Sequence, residues 1–209
     1  MFVCSEKGGL LCQKSIALAI IQVNTIAMWT SQKLALMKSG ADSLKKSADA
    51  LNDTSLWEKK KIIKKDEITG EETEMEDYDW EAITKAVKSF IEDYNGVVKD
   101  GGESNTKDVL RNVAWMAGMT DKNSNMLAKI GITIGKGNKL ELDEEALKKA
   151  DISSLKTVFN GYNSFISKIS QKATSISNAA NRAGSTYTSS GVYSKILSSL
   201  ASSKIDEEA

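Results

Sequence analysis

The side chains of this chain that could do chemistry are carboxylates, lysines and two thiols, because the sequence contains no histidine. Histidine is the commonest general base and the commonest metal ligand, so its absence removes most acid–base relays and many metal sites. Glu76 with Asp79, or an isolated lysine, remains as a catalytic candidate, but nothing in the sequence places either in a cleft. The sequence therefore predicts a protein that is not an enzyme and has no catalytic residue.

Three other features resemble ligand sites without matching one. Nine carboxylates lie between Asp66 and Glu81, but the run lacks the alternating acidic loop with its central glycine that binds calcium. Cys4 and Cys12 have neither the C-x-x-C spacing nor that of a zinc half-site. The glycine-rich residues 135–138 match neither phosphate-loop pattern. We therefore predict no metal ion and no cofactor.

Charge and hydropathy exclude two classes of partner. Basic and acidic residues are equal in number, 28 of each, so no general attraction to nucleic acid is expected. Residues 10–29 are apolar, but polar side chains interrupt them at Gln13, Lys14, Gln22 and Asn24. The run falls short of the roughly 20 apolar residues of a membrane span, and it lacks the clean core of a signal peptide. We predict no nucleic-acid partner, no membrane span and no classical signal peptide.

Two ladders of apolar residues at alternating steps of four and three predict long helices, since this spacing is typical of a supercoiled seam. The first ladder comprises Ile16, Ile20, Val23, Ala27, Thr30, Leu34, Met37, Ala41, Leu44, Ala48 and Leu51. The second comprises Tyr162, Ile166, Ile169, Ala173, Ile176, Ala180 and Ala183. No proline interrupts either one. An ordinary amphipathic helix that packs on its own domain is the alternative interpretation.

The segment between the ladders has mixed periodicity and predicts a small α/β head. Residues 56–78 begin basic and turn acidic around Gly70, which predicts a charged, exposed hairpin. Residues 130–142 alternate apolar and polar side chains about a glycine-rich turn, which predicts a second hairpin. The predicted helices of this region lie near residues 79–99, 106–117 and 144–160.

Together these patterns predict a mainly α chain with small β-hairpins, an α+β fold. Its predicted parts are a loose N-terminus (1–15), an N-terminal heptad helix (16–52), the head (53–161), a C-terminal heptad helix (162–183) and a Ser-rich tail (184–209). The two heptad helices are expected to pack as a coiled-coil-like stalk, either within one chain or between chains. The predicted interface residues are Leu34, Ala41, Leu44, Leu51, Ile166, Ile169, Ala173 and Ile176.

Four short motifs then occur in an order that resembles the C-terminal part of a known family. They are Asp93-Tyr94-Asn95, Ile130-Gly131-Ile132-Thr133, Leu140-Glu141-Leu142-Asp143 and Val158-Phe159-Asn160-Gly161, with Leu147 and Ala150 at helical spacing between the last two. In this order they resemble flagellar hook-associated protein 2, the filament-capping protein. The resemblance is strong over about a third of the chain, and it extends loosely to the second ladder.

The resemblance implies an extracellular structural protein of the bacterial flagellum that leaves the cell without a cleaved signal peptide. It also implies self-association into a ring at the filament tip, where such proteins help flagellin to assemble. Flagellin and other axial proteins would then be partners. A secreted or surface interaction module of bacterial origin, without a flagellar role, is the alternative. In that case a recognition patch could include Trp57, Trp80, Trp115 and Tyr187.

Overall fold

The computed structural model describes residues 9–65 and 72–184, with side chains over 31–61, at 63, and over 74–183. The predicted turn near Gly70, Tyr187, and the predicted tail beyond Gly184 lie outside these residues, as do both cysteine side chains. Seven helices are described: α1 Gly9–Asn52, α2 Trp80–Gly102, α3 Lys107–Lys122, α4 Ser124–Ala128, α5 Glu144–Lys149, α6 Ile152–Phe159 and α7 Phe165–Gly184. The strands are β1 Lys59–Lys65, β2 Glu72–Tyr78, β3 Ile132–Ile134 and β4 Leu140–Leu142.

The four described strands form two separate antiparallel pairs. β1 pairs with β2 from Lys59↔Tyr78 to Lys65↔Glu72. β3 pairs with β4 from Ile132↔Leu142 to Ile134↔Leu140, around a short 3₁₀ turn. A mainly helical chain with two small hairpins confirms the predicted α+β class. The coiled-coil-like stalk with a separate head stays a prediction.

The chain divides into two compact units. The first contains residues 1–36 and 181–209. Its described part comprises α1 from Gly9 to Leu36 and the last residues of α7. Helix α1 begins at Gly9, so residues 9–15 are helical although the heptad pattern starts only at Ile16. In this unit Leu34 is buried and Leu36 is mostly exposed.

The second unit, residues 37–180, contains most of the described hydrophobic core. Every member of the first ladder from Met37 to Leu51 is buried in it, whereas the side chains of the earlier members, up to Thr30, are outside the described residues. α1 ends at Asn52, and Asp53 then caps a 3₁₀ turn by accepting a hydrogen bond from Ser55 N at 3.0 Å. The middle of the chain also contributes to this core through α2, whose apolar stripe is buried along its length.

Tyr162 is not part of the second ladder, and this element of the sequence prediction is wrong. Helix α7 begins only at Phe165, where Ser164 Oγ accepts a hydrogen bond from Ser167 N at 3.2 Å. A serine that satisfies a free amide in this way sets the start of a helix. Tyr162 therefore lies before the helix and is 93% exposed, whereas the ladder from Ile166 to Ala180 is buried.

All three predicted helices of the middle segment have ends that differ from those expected. α3 continues to Lys122 instead of ending near residue 117. α2 continues through Gly101 to Gly102. α3 approaches Gly101 so closely that a Cβ there would lie 2.4 Å from Val113 Cγ2, so glycine is required at this contact. The segment expected to form one helix over 144–160 is divided into α5 and α6. Asp151 interrupts it by capping α6: its Oδ2 accepts a hydrogen bond from Ser154 N at 3.1 Å.

Across residues 9–65 and 72–184, no helix is both long enough and apolar enough to span a membrane.

Candidate assembly site

The predicted interface residues are all buried within a single chain. Leu34 lies in the first unit, and the other members lie in the second, where each is fully inaccessible: Ala41, Leu44, Leu51, Ile166, Ile169, Ala173 and Ile176. Within the second unit α1 and α7 are joined directly, since Ser170 Oγ donates a hydrogen bond to Asp49 Oδ1 at 2.6 Å. That these residues act as an interface between subunits stays a prediction.

Asp49 lies at the edge of this seam and contacts two polar partners, Lys45 on its own helix and Ser170 on α7. Partial burial by itself would raise the pKa of Asp49, but hydrogen bonds from Lys45 and Ser170, with the charge of Lys45, bring it below its ordinary value. A carboxylate whose pKa is lower in the folded state stabilises the fold above its unfolded pKa of about 4. That contribution is lost as the pH falls through the folded pKa.

We expect Ser170→Ala to raise the pKa of Asp49, because it removes one of the two hydrogen bonds that favour the ionised carboxylate. Titration of the side-chain carboxyl carbon by NMR would measure the change. Ser175→Ala is the control, because the Ser175 hydroxyl lies on the same helix and donates to Gln171 O. Equal Asp49 titration curves for both variants and the natural chain would contradict the assignment.

α7 also packs against the helices of the middle segment. The ring of Phe165 meets that of Phe90 on α2 edge to face, with centroids 6.4 Å apart. Farther along, Lys172 Nζ lies 4.4 Å from the centroid of the Trp115 ring on α3 and donates to Asn112 Oδ1 at 3.3 Å. The ladder on α7 is therefore part of one interior with α2 and α3, and is not a free rod over these residues.

The C-terminal end of α1 is closed by aromatic packing and by side-chain hydrogen bonds. Trp57 stacks on Phe159 of α6, with centroids 5.7 Å apart and planes 9° from parallel. Its Nε1 donates to the carbonyl oxygen of Leu51 at 2.8 Å, which satisfies one of the carbonyls left free at a helix end. Asn52 Oδ1 accepts from Gly161 N at 3.1 Å. These contacts join α1 to the segment that leads into α7.

The β3–β4 hairpin is fixed to α2 by one asparagine. Asn95 Oδ1 accepts from Leu140 N at 2.7 Å, and Asn95 Nδ2 donates to Leu140 O at 2.9 Å. One side chain thus satisfies both backbone groups of Leu140, as a neighbouring strand would do.

We expect Asn95→Ala to lower the free energy of unfolding by about 1–3 kcal/mol, since it leaves both backbone groups of Leu140 without their partner. Urea unfolding followed by circular dichroism would measure the loss. Asn105→Ala, at an exposed position, is the matched control and should change stability by less than about 0.5 kcal/mol. Equal stabilities of the two variants would show that the two hydrogen bonds are not important to the fold.

Gly131 connects the same hairpin to α5. It has φ of +80°, and a Cβ there would lie 2.7 Å from Asp143 O and 2.9 Å from Leu147 N, both backbone atoms that cannot move aside easily. Gly131 O accepts from Asp143 N at 2.8 Å, and Asp143 then caps α5 by accepting from Ala146 N at 3.0 Å. Only glycine fits both the conformation and the space.

Tyr94, beside Asn95, has a structural position in the core. Its hydroxyl donates to Thr120 Oγ1 at 2.9 Å, and Thr120 Oγ1 donates in turn to Met116 O at 3.0 Å. Burial raises the pKa of Tyr94 above its ordinary value, so the phenol stays neutral at physiological pH. The motif Asp93-Tyr94-Asn95 therefore contributes one buried anchor and one clamp to the hairpin scaffold.

The two candidate catalytic carboxylates, Glu76 and Asp79, lie in different surroundings. Glu76 is exposed on β2, whereas Asp79 caps α2 through a hydrogen bond from Ala82 N at 3.0 Å and lies 3.7 Å from Lys60 Nζ. Within the part of the chain that the structure covers, no three acidic, cysteine or histidine residues are grouped to hold a metal ion.

The aromatic residues considered as a recognition patch are unlike one another in exposure. Trp57 is only 1% exposed and belongs to the core, Trp80 is half-buried at the start of α2, and Trp115 is 46% exposed. Tyr187 lies outside the described residues. Trp57 is thus unavailable to a partner in this fold.

The chain matches the model of one known protein family. The family model for the C-terminus of flagellar hook-associated protein 2 matches residues 100–206, just over half of the chain. The chain belongs to the flagellar hook-associated protein 2 family. This confirms the resemblance drawn from the four motifs, three of which lie wholly within the matched residues. A search of the curated proteins and of the solved structures gave no match.

Sequence reasoning identified the family motifs but not the task of each residue in them. Asn95 is a clamp between α2 and β4, and Trp57 closes α1; neither role was predicted. The sequence did contain a signal for the Asn95 clamp. Asn95 is a polar residue next to Tyr94, which lies on the buried stripe of α2, and such a residue needs a hydrogen-bond partner.

Proposed function

We propose that this chain is a non-catalytic structural subunit of the flagellar filament cap, exported from the cell and self-associating at the filament tip, where it promotes flagellin assembly. The family membership supports this, because the matched residues contain the hairpin scaffold and α7. The structure also assigns the family motifs to packing, capping and clamping. Such roles suit a rigid support for other subunits.

Deletion of the gene in its own bacterium, followed by complementation, tests the proposal. We expect the deletion to abolish swimming in soft agar and to release unassembled flagellin into the medium. Complementation with the natural chain should restore both. A deletion strain that swims normally with filaments of ordinary length would contradict the proposal and would favour the surface interaction module instead.

A conservative variant separates structural support from chemistry. Glu76→Gln and Lys88→Gln remove charged groups at exposed positions without deleting packing, so each should complement fully if no catalysis is involved. Loss of swimming with either variant, at normal protein levels and with unchanged self-association, would contradict the non-catalytic assignment.

A further inference from the structure

The β1–β2 hairpin separates its charges by strand. β1 has the sequence KKKIIKK and β2 has ETEMEDY, so one strand carries five lysines and the other four carboxylates. The register places Lys60 opposite Asp77 and Lys61 opposite Glu76. Opposite charges across a strand pair stabilise the pair. Each strand also satisfies the backbone hydrogen-bonding groups along one edge of the other strand.

The outer edge of each strand has no strand beside it in the described structure, where β1 and β2 form a two-stranded sheet. Unpaired backbone groups on such an edge are a template for pairing with another chain. One edge is bordered by lysines and the other by carboxylates. The two edges of one hairpin are therefore complementary to each other in charge and in backbone hydrogen bonding.

The hairpin also exposes apolar side chains, which the exposed sheet edges of soluble proteins usually avoid. Ile63 is 61% exposed and Met75 is 42% exposed. Ile63 pairs with Glu74 and Met75 pairs with Ile62, so the two exposed residues belong to opposite faces of the hairpin. A strand added at the β1 edge would lie beside Ile63, and a strand added at the β2 edge would lie beside Met75.

The base of the hairpin is held against the rest of the second unit. The Tyr78 ring lies 5.8 Å from both Lys59 Nζ and Lys156 Nζ, the latter on α6. The same ring meets Trp80 edge to face at 6.4 Å, and Lys60 Nζ lies 3.7 Å from Asp79 Oδ2. These contacts fix the direction in which the hairpin projects from α2 and α6.

From these observations we infer that the hairpin is a head-to-tail contact between copies of this chain, in which β2 of one copy pairs antiparallel with the outer edge of β1 of the next. The charge along the joined sheet then alternates at every strand. Pairing of two β1 edges, or of two β2 edges, would set like charges side by side, so a two-fold contact is disfavoured.

A contact that uses two different edges continues from copy to copy, and it closes into a ring if the rotation per subunit allows it. The inference deepens the proposed function, on which it rests, by assigning the subunit contact of the cap to this hairpin.

Two charge-reversal variants of the full chain test the contact. Lys60→Glu, Lys61→Glu and Lys64→Glu together give both strands a net negative charge. Glu72→Lys, Glu74→Lys and Glu76→Lys together give both strands a net positive charge. Sedimentation velocity in 0.1 M salt should show self-association of the natural chain, weakened at least tenfold in each variant. An equimolar mixture of the two variants should regain it, because acidic and basic hairpins then alternate. Raising the salt to 1 M should weaken the natural assembly, since screening acts within about 3 Å there.

The mixture makes the test independent of folding defects, because two misfolded chains would not restore each other. Lys122→Glu with Lys129→Glu, exposed lysines outside the hairpin, is the matched control and should associate like the natural chain. A natural chain that stays monomeric, variants that associate normally, or a mixture that does not regain association would each overturn the inference. Motility of the deletion strain tests the proposed function separately: lost motility together with unchanged association of the variants would refute the hairpin contact alone.

Discussion

Replacement of Ile169 by aspartate should lower the free energy of unfolding by more than about 4 kcal/mol. Ile169 is fully buried on α7, between ladder neighbours that are also inaccessible. A carboxylate there would have neither water nor a cationic partner, and burial of an unpaired charge belongs to the few changes that cost more than about 4 kcal/mol. Since domains of this kind are stable by only about 5–15 kcal/mol, the loss would remove a large part of the stability.

Circular dichroism and urea unfolding of the purified chain would measure this loss. Gln171→Asp introduces the same charge two residues along the same helix at an exposed position, and should cost less than about 1 kcal/mol. The comparison also distinguishes packing within one chain from packing between chains. If Ile169→Asp left a folded, monomeric protein of normal stability, the second ladder would not be buried within the chain.

Trp57→Ala should lower the free energy of unfolding by about 3–5 kcal/mol, the usual range for a buried aromatic residue truncated to alanine. The change removes the stack on Phe159 and leaves a carbonyl at the end of α1, that of Leu51, without its donor. Both losses fall where α1 meets the segment that leads into α7. The apolar ladders of α1 and α7 should therefore lose packing together.

Trp115→Ala is the matched control, because it deletes the same side chain at a position 46% exposed. The change removes the cation–π contact with Lys172, which contributes about 0.5–1 kcal/mol at an accessible site. Midpoints of urea unfolding, followed by circular dichroism because tryptophan fluorescence changes in both variants, would give the two values. A larger cost for Trp115 than for Trp57 would show that our assignment of the core is wrong.

The parts of the fold that depend on local periodicity could be predicted from the sequence. The ladder from Met37 to Leu51 is buried without exception, because a repeated apolar spacing can be satisfied only by one continuous covered stripe. The β3–β4 hairpin followed from alternation and turn residues, and the β1–β2 hairpin followed from the basic and acidic segments on either side of Gly70. Tyr162 was misassigned because its position fits the heptad spacing, while the helix start is set by a serine cap that the spacing does not contain.

Contacts between residues far apart in sequence could not be predicted from pattern. The clamp between Asn95 and Leu140 joins residues 45 positions apart, and neither one marks the other. The division between α5 and α6 depends on Asp151, which in isolation resembles any surface residue of a helix. The candidate site was predictable to the level of family, through the order of four motifs, but the positions of the side chains required the tertiary structure.

The most direct test of the proposed role is the location of the protein on intact filaments. Gold-labelled antibody against the purified chain, applied to filaments of the natural strain and viewed by electron microscopy, would show it. Our account predicts a single cluster of label at the distal tip, absent from the deletion strain. Label distributed along the filament or over the cell surface, with unlabelled tips, would contradict it.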